Sequence, residues 1–127
     1  MADPAFLLDA NICIYLIEGL SDAARDRMER YLPGTIVTSA ICYAEVMRGV
    51  DRSDAAALRT TDAFFAICTV VPFGVDAAIS YCALPFQRGK FDHLIAAHAL
   101  ALGVTLVTAN ESDFAGIAHL QVENWAR

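Results

Sequence analysis

Phe6-Leu7-Leu8-Asp9-Ala10-Asn11-Ile12-Cys13-Ile14-Tyr15-Leu16 opens as an unbroken apolar run and changes, with no connecting loop, to apolar positions at Ile12, Tyr15 and Leu16. An unbroken run suits a strand covered on both faces, whereas a spacing of three to four is one face of a helix. The pattern predicts a short buried strand that stops at Asp9 and feeds a helix, with Asn11 as the expected N-cap.

The alternation repeats down the chain. Ser21-Asp22 opens a polar helix expected to end near Pro33-Gly34, and residues 35–38 read as a second strand. Ser39 is placed to cap the next helix, which carries Glu45 and ends near Gly49. An Ala-rich helix over residues 53–66 runs into a third strand at 67–71, and a short helix from about Val75 is broken by Pro85. Residues 92–102 form a helix apolar nearly all round, terminated by Gly103 and followed by strands at 104–107 and 120–122. Such crossovers favour an α/β fold with a mostly parallel central sheet and helices on both faces.

With 127 residues, 57% of them hydrophobic, the chain is expected to form a single domain over residues 1–127, which excludes disorder. Fifteen acidic against nine basic side chains give a formal charge of −6 and remove the polybasic class of nucleic-acid binders, so any nucleic-acid chemistry must be locally arranged. Cys13, Cys42, Cys68 and Cys82 form no CxxC pair and read as buried free thiols of a reducing compartment. Met1-Ala2-Asp3-Pro4 carries no basic targeting region, and no apolar run approaches the ~20 residues of a membrane span. A cytoplasmic protein is expected, with no membrane partner.

Ligands of open parallel sheets collect beyond the carboxyl ends of the strands. Asp9 stands at such an end, and Thr108 closes another and leads into Asn110, Glu111 and Asp113. Glu45 follows the second strand, and Asp92 opens the buried helix. Each has an ordinary alternative: Asp92 as a helix cap, Asp113 as a solvated loop acid. Together, two carboxylates ~4 Å apart repel by about 4 kcal/mol at an effective dielectric of 20, so a cluster must take up protons or bind a cation. Oxygen ligands select Mg²⁺ or Mn²⁺, ions that support phosphodiester hydrolysis. His93 and His98 are five apart, not the four of a zinc-binding helical pair, and His119 stands alone; all three read as core or surface histidines. No GxxxxGK[ST], GxGxxG or GxSxG motif supports ATP use, a dinucleotide cofactor or serine hydrolysis.

Leu7-Leu8-Asp9-Ala10-Asn11-Ile12, Ser39-Ala40-Ile41-Cys42-Tyr43-Ala44-Glu45, Phe91-Asp92-His93-Leu94-Ile95-Ala96, Leu106-Val107-Thr108-Ala109-Asn110-Glu111-Ser112-Asp113-Phe114 and Val122-Glu123-Asn124-Trp125 together resemble the PIN-domain ribonucleases, and among them the VapC-type toxins of bacterial toxin–antitoxin pairs. The resemblance runs nearly end to end and implies a PIN-like fold. It implies Asp9, Glu45, Asp92 and Asp113 as catalytic and metal-binding acids, with Asp9 and Asp92 the direct ligands of Mg²⁺ or Mn²⁺. Asn110 stands where some members have Asp and would hold a water beside Asp113. Asn11, Thr38, Ser39 and Thr108 would support the acids from behind. Family members commonly carry a longer basic helix and loop between residues 80 and 92, where this chain has Pro85-Phe86-Gln87-Arg88-Gly89-Lys90, a departure that bears on substrate choice and the dimer surface. Arg48, Arg88 and Lys90 lie close in sequence to the acids and are the candidate contacts to RNA phosphates.

The implied function is a metal-dependent endoribonuclease acting on structured RNA, tRNA or rRNA, held by a cognate antitoxin protein and forming a homodimer. Two other classes compete. A non-catalytic PIN scaffold would bind RNA or protein without cleaving, and a receiver-like module would accept a phosphoryl group on Asp9. The receiver normally needs an acidic pair after its first strand and a lysine after its last, and this sequence has neither.

Overall fold

The computed structural model of the chain describes residues 2–85 and 91–127. Their order is β1 (Phe6–Leu8), α1 (Ala10–Glu18), α2 (Asp22–Met28), β2 (Ile36–Ser39), α3 (Ala40–Arg48), α4 (Ala55–Ile67), β3 (Thr69–Val71), α5 (Val75–Cys82), α6 (Phe91–Leu102), β4 (Thr105–Thr108), a 3₁₀ turn at Glu111–Phe114, and β5 (Val122–Asn124). The strands form one sheet in the order β3-β2-β1-β4-β5. Every pairing is parallel, so all five carboxyl ends lie at one edge.

β1 occupies the centre. Leu7 pairs with Val37 on one side and Leu106 on the other, and Leu7, Leu8, Leu106 and Val107 have no solvent exposure. That double coverage is why the strand reads as continuous Phe-Leu-Leu rather than as an alternation. Strand order runs one way from β1 through β2 to β3, then restarts across β1 at β4. Right-handed crossovers on the two sides of that restart lie on opposite faces of the sheet, and the gap between β1 and β4 is the switch point where ligands bind.

Five local readings need correction: the last strand, expected at 120–122, lies at Val122–Asn124; Cys82, expected to be a buried thiol, is exposed; and three concern helix ends. The N-cap of α1 is Asp9, not Asn11: its Oδ1 accepts the Ile12 N–H at 2.9 Å. The helix starts at Ala10, so the residue leaving the strand is the cap and Asn11 lies exposed in the first turn. α2 is capped by Ser21 as expected but stops at Met28, because Tyr31 turns inward against Phe6 with ring centroids 4.8 Å apart and Pro33 disfavours helical geometry at Leu32. α4 runs through Ile67 with Cys68 as its extended C-cap, which delays β3 to Thr69. Of the four cysteines, Cys13, Cys42 and Cys68 are buried thiols and Cys82 is exposed. No described helix is long and apolar enough to cross a membrane.

Leu7 is the load the sheet centre carries. Leu7→Ala should cost about 2–5 kcal/mol, the range for a fully buried leucine left as a cavity, read as a lower urea midpoint with an unchanged slope. A loss below ~1 kcal/mol would mean that β1 is not the centre of the core.

Candidate active site

Asp9 enters the carboxyl edge by continuing the ladder, its N–H donating to the Val107 carbonyl at 2.9 Å. It is 6% exposed. Burial raises its carboxyl above the ordinary range. Hydrogen bonds from Thr108 and the Ile12 N–H offset part of this, and the charges of Asp92 and Asp113 push it further up. Asp9 thus feels the charge of acids from two other segments, α6 and the 3₁₀ turn.

Glu45 lies half-buried on α3, which starts directly after β2 because Ser39 caps it, its Oγ accepting the Ile41 N–H at 3.1 Å. Its carboxyl is also raised, first by burial and then by the charges of Asp92 and Asp9. Oε1 of Glu45 is shielded from solvent and has no hydrogen-bond partner among the described residues. Asp92 sits half-buried in the first turn of α6, where the helix N-terminus favours negative charge.

Asp113 is exposed on the 3₁₀ turn, and its Oδ2 accepts from Asn110 Nδ2 at 3.0 Å. Asn110 is oriented in turn by Ser112, whose hydroxyl donates to Oδ1 at 2.7 Å, and its N–H donates to the Thr108 hydroxyl at 3.0 Å. Thr108 therefore touches both Asp9 and the loop that carries Asp113.

The hydroxyls of β2 do other work. Thr38 Oγ1 donates to the Leu8 carbonyl at 2.7 Å and accepts from Cys13 Sγ at 3.7 Å, pinning β1 to β2. Ser39, besides capping α3, is 2.8 Å from His98 Nδ1. His98 is buried and its pKa is lowered by that burial, and His93 is buried with Nδ1 at 3.2 Å from the Pro85 carbonyl. Both are core histidines, and His119 is exposed. Asn11 is exposed on the first turn of α1. Arg48 is exposed at a hollow of about 410 Å³ shared with Glu45, Ile41, Ala44, Phe91 and Leu94, which sets one cation and an apolar wall beside the acids. Arg88 and Lys90 lie outside the described residues.

Whether these residues suit a divalent cation turns on the donor set and on Glu45. The donors are all carboxylate oxygens, the chemistry of Mg²⁺ and Mn²⁺, and an orphaned carboxylate oxygen is costly unless a cation or proton meets it. Among the described residues, no group of three or more Asp, Glu, His or Cys side chains is gathered closely enough to hold a metal ion. The fit rests on the oxygen donors and on Glu45 Oε1.

A PIN domain family model matches residues 6–120. The chain belongs to the PIN domain family. It is similar to "Ribonuclease VapC2" of Rickettsia felis, 32% identical over 94% of this chain and 97% of that protein. It is also similar to the "tRNA(fMet)-specific endonuclease VapC" of Shigella flexneri, 27% identical over 95% of this chain and 98% of that one. Among solved structures it superposes on VapBC2 from Rickettsia felis bound to a DNA fragment from its promoter. The TM-score is 0.83 at 29% identity, covering 95% of this chain and 98% of that one. The PIN-like α/β architecture read from the sequence is that of these relatives.

Asp9 and Glu45 hold protons more tightly folded than unfolded. Their contribution to stability is full below their unfolded values near 3.8 and 4.5 and is lost as pH rises through the raised folded values. Asp9→Asn keeps a good cap on Ile12 and removes one charge. In EDTA its melting temperature should match wild type near pH 4 and exceed it at pH 7, by about 4 °C for a relief on the order of 1 kcal/mol. A melting-temperature difference that stays constant from pH 4 to pH 7 would show that the fold does not raise the Asp9 carboxyl.

Proposed function

We propose that this protein is a Mg²⁺- or Mn²⁺-dependent endoribonuclease, the toxin of a toxin–antitoxin pair, cutting structured RNA of the tRNA or rRNA class. The observation that carries the reading is Oε1 of Glu45, shielded from solvent and without a hydrogen-bond partner among the described residues, in the field of Asp9 and Asp92. A scaffold that only binds has no use for such an oxygen, and its cost is hard to explain without a ligand.

Asp9 and Asp92 would hold the cation, with Glu45 and Asp113 completing the acid set. When bound, the cation neutralises charge on the scissile phosphate and makes a water more acidic. Hydrolysis adds water across a P–O bond: the water oxygen bonds phosphorus, one proton leaves it, and the departing sugar oxygen gains one. Glu45, whose Oε1 has no hydrogen-bond partner among the described residues, would complete the acid set or orient the attacking water. Asn110 and Thr108 fix Asp113 and Asp9 from behind. Arg48, which lines one hollow with Glu45, would hold a neighbouring phosphate of the RNA; Arg88 and Lys90 would add to it.

The partner we assign is a cognate antitoxin protein, as in the VapBC assemblies that the fold resembles. Leu32 and Ile67 are 73% and 66% exposed at a hollow lined by Leu16, Met28 and Phe64, apolar surface of the kind a protein partner covers. A homodimer in the cytoplasm completes the reading, with Val75, Ile79 and Phe91 as further exposed apolar area.

Purified protein incubated with total RNA and Mn²⁺ should cleave it, and EDTA should stop cleavage. Asp9→Asn and Asp92→Asn should each lower the rate at least a hundredfold while retaining the native circular dichroism spectrum. Retention of more than a tenth of wild-type activity at saturating Mn²⁺ would remove that residue from the metal set.

Asp113→Asn should cost more activity than Asn110→Ala, because only the first deletes charge from the acid set. The opposite ranking would give the fourth position to Asn110.

A further inference from the structure

Asp113 differs from the other acids in having no strand end or long helix beneath it. It is exposed on a 3₁₀ turn of four residues, and an exposed loop carboxylate contributes to a cation site only if something else orders it. The chain supplies that order from β5. Thr108 pairs in register with Asn124 at the carboxyl end of the sheet. From there the half-buried Asn124 reaches across, its Nδ2 donating to the Ala109 carbonyl at 3.3 Å. Ala109 is followed directly by Asn110, whose amide holds the Asp113 carboxylate. The connection from Asn124 to Asp113 therefore passes through one peptide unit and one side chain.

Asn124 is itself fixed from the other side. Its Oδ1 accepts the Ala126 N–H at 2.8 Å, and between them Trp125 is fully buried. The Trp125 ring stacks on Tyr31 at 5.8 Å, lies 5.1 Å from Phe6, and is covered by the Arg27 guanidinium at 5.2 Å. Glu123 Oε1 joins the same assembly, accepting from Arg27 at 2.8 Å and from Trp125 Nε1 at 3.1 Å. A second tie runs outside the first, an ion pair from the Arg127 guanidinium to Glu111 at the start of the 3₁₀ turn.

We propose that Asn124 is a positioning residue for Asp113: its amide, anchored by the buried Trp125, holds the Ala109–Asn110 segment so that the Asp113 carboxylate stays within reach of Asp9. The inference rests on the metal-site reading of Asp113.

The test measures Mn²⁺ affinity without RNA, from the free Mn²⁺ signal by electron paramagnetic resonance. Asn124→Ser retains an oxygen able to accept the Ala126 N–H but is too short to reach Ala109. It should weaken Mn²⁺ roughly tenfold, the lower end for loss of a group that orients a metal ligand, with kcat for RNA recovered at saturating Mn²⁺. In an Asp113→Asn background the same change should alter Mn²⁺ affinity less than twofold, since the residue it positions is already gone. Arg127→Ala, on an exposed side chain that the fold does not need, severs the outer tie and should weaken Mn²⁺ in the same sense, by about threefold. The proposal is overturned if Asn124→Ser binds Mn²⁺ within twofold of wild type while Asp113→Asn does not, whatever Arg127→Ala does, or if Asn124→Ser weakens binding equally with and without the Asp113 carboxylate. Should Asp113→Asn itself leave Mn²⁺ affinity unchanged, the metal-site reading falls and this inference falls with it.

Discussion

A carboxylate buried at the end of the central strand is the constraint around which the molecule is arranged. Asp9 extends the β1–β4 ladder through its N–H, caps α1 through Oδ1, and meets Thr108 and the charges of Asp92 and Asp113. A group placed this deep is unfavourable unless each lone pair is met. The cap and the Thr108 hydroxyl meet part of that demand. The remainder is left as negative field, which spreads well into the core: Cys42 is pushed up to about 12, first by burial, with the charges of Asp9 and Glu45 adding to it. That thiol is held protonated and inert.

Most of the architecture was legible because it follows from burial. Phe6–Leu8, the continuous apolar character of α6 and the Ser39 cap each have one inexpensive solution, and the structure adopts it. The misreadings fall where a tertiary contact decides between local options of similar energy. Asn11 is as good a cap as Asp9 by propensity, and the choice is made by where β1 stops. α2 could have continued toward Pro33, but Tyr31 gains more by joining Phe6 and Trp125.

The site divides in the same way. The four acids could be proposed from residue type and strand ends, because parallel topology carries all strand termini to one edge. The work of the neutral groups was legible only in part: Thr108 behind Asp9 and Asn110 beside Asp113 stand where the resemblance implied. Ser39 and Thr38, expected behind the acids, are committed to α3, His98 and the β1–β2 seam. Asn124 was visible only as part of a resemblance. Its link to Ala109 depends on the Thr108–Asn124 register, which no local pattern encodes. Net charge has a related lesson: a chain at −6 disfavours polyanions at long range, so any contact to one would have to be built at short range, as at the hollow that Arg48 shares with Glu45.

Position 110 shows how the cluster avoids excess repulsion. An acid there would stand against Asp113 at hydrogen-bonding distance. Two like charges ~4 Å apart cost about 4 kcal/mol at an effective dielectric of 20, and less at a solvated edge. Asn110 has nearly the same shape and reverses the sign of the contact: Nδ2 donates to Asp113 Oδ2 at 3.0 Å, while Oδ1 accepts from Ser112 at 2.7 Å. The amide cannot rotate without breaking both bonds, since its donor and acceptor ends are each committed. A neutral residue beside Asp113 thus adds orientation without adding charge, and the negative field is left to Asp9, Glu45, Asp92 and Asp113. The absence of a carboxylate at 110 is therefore compatible with a complete site.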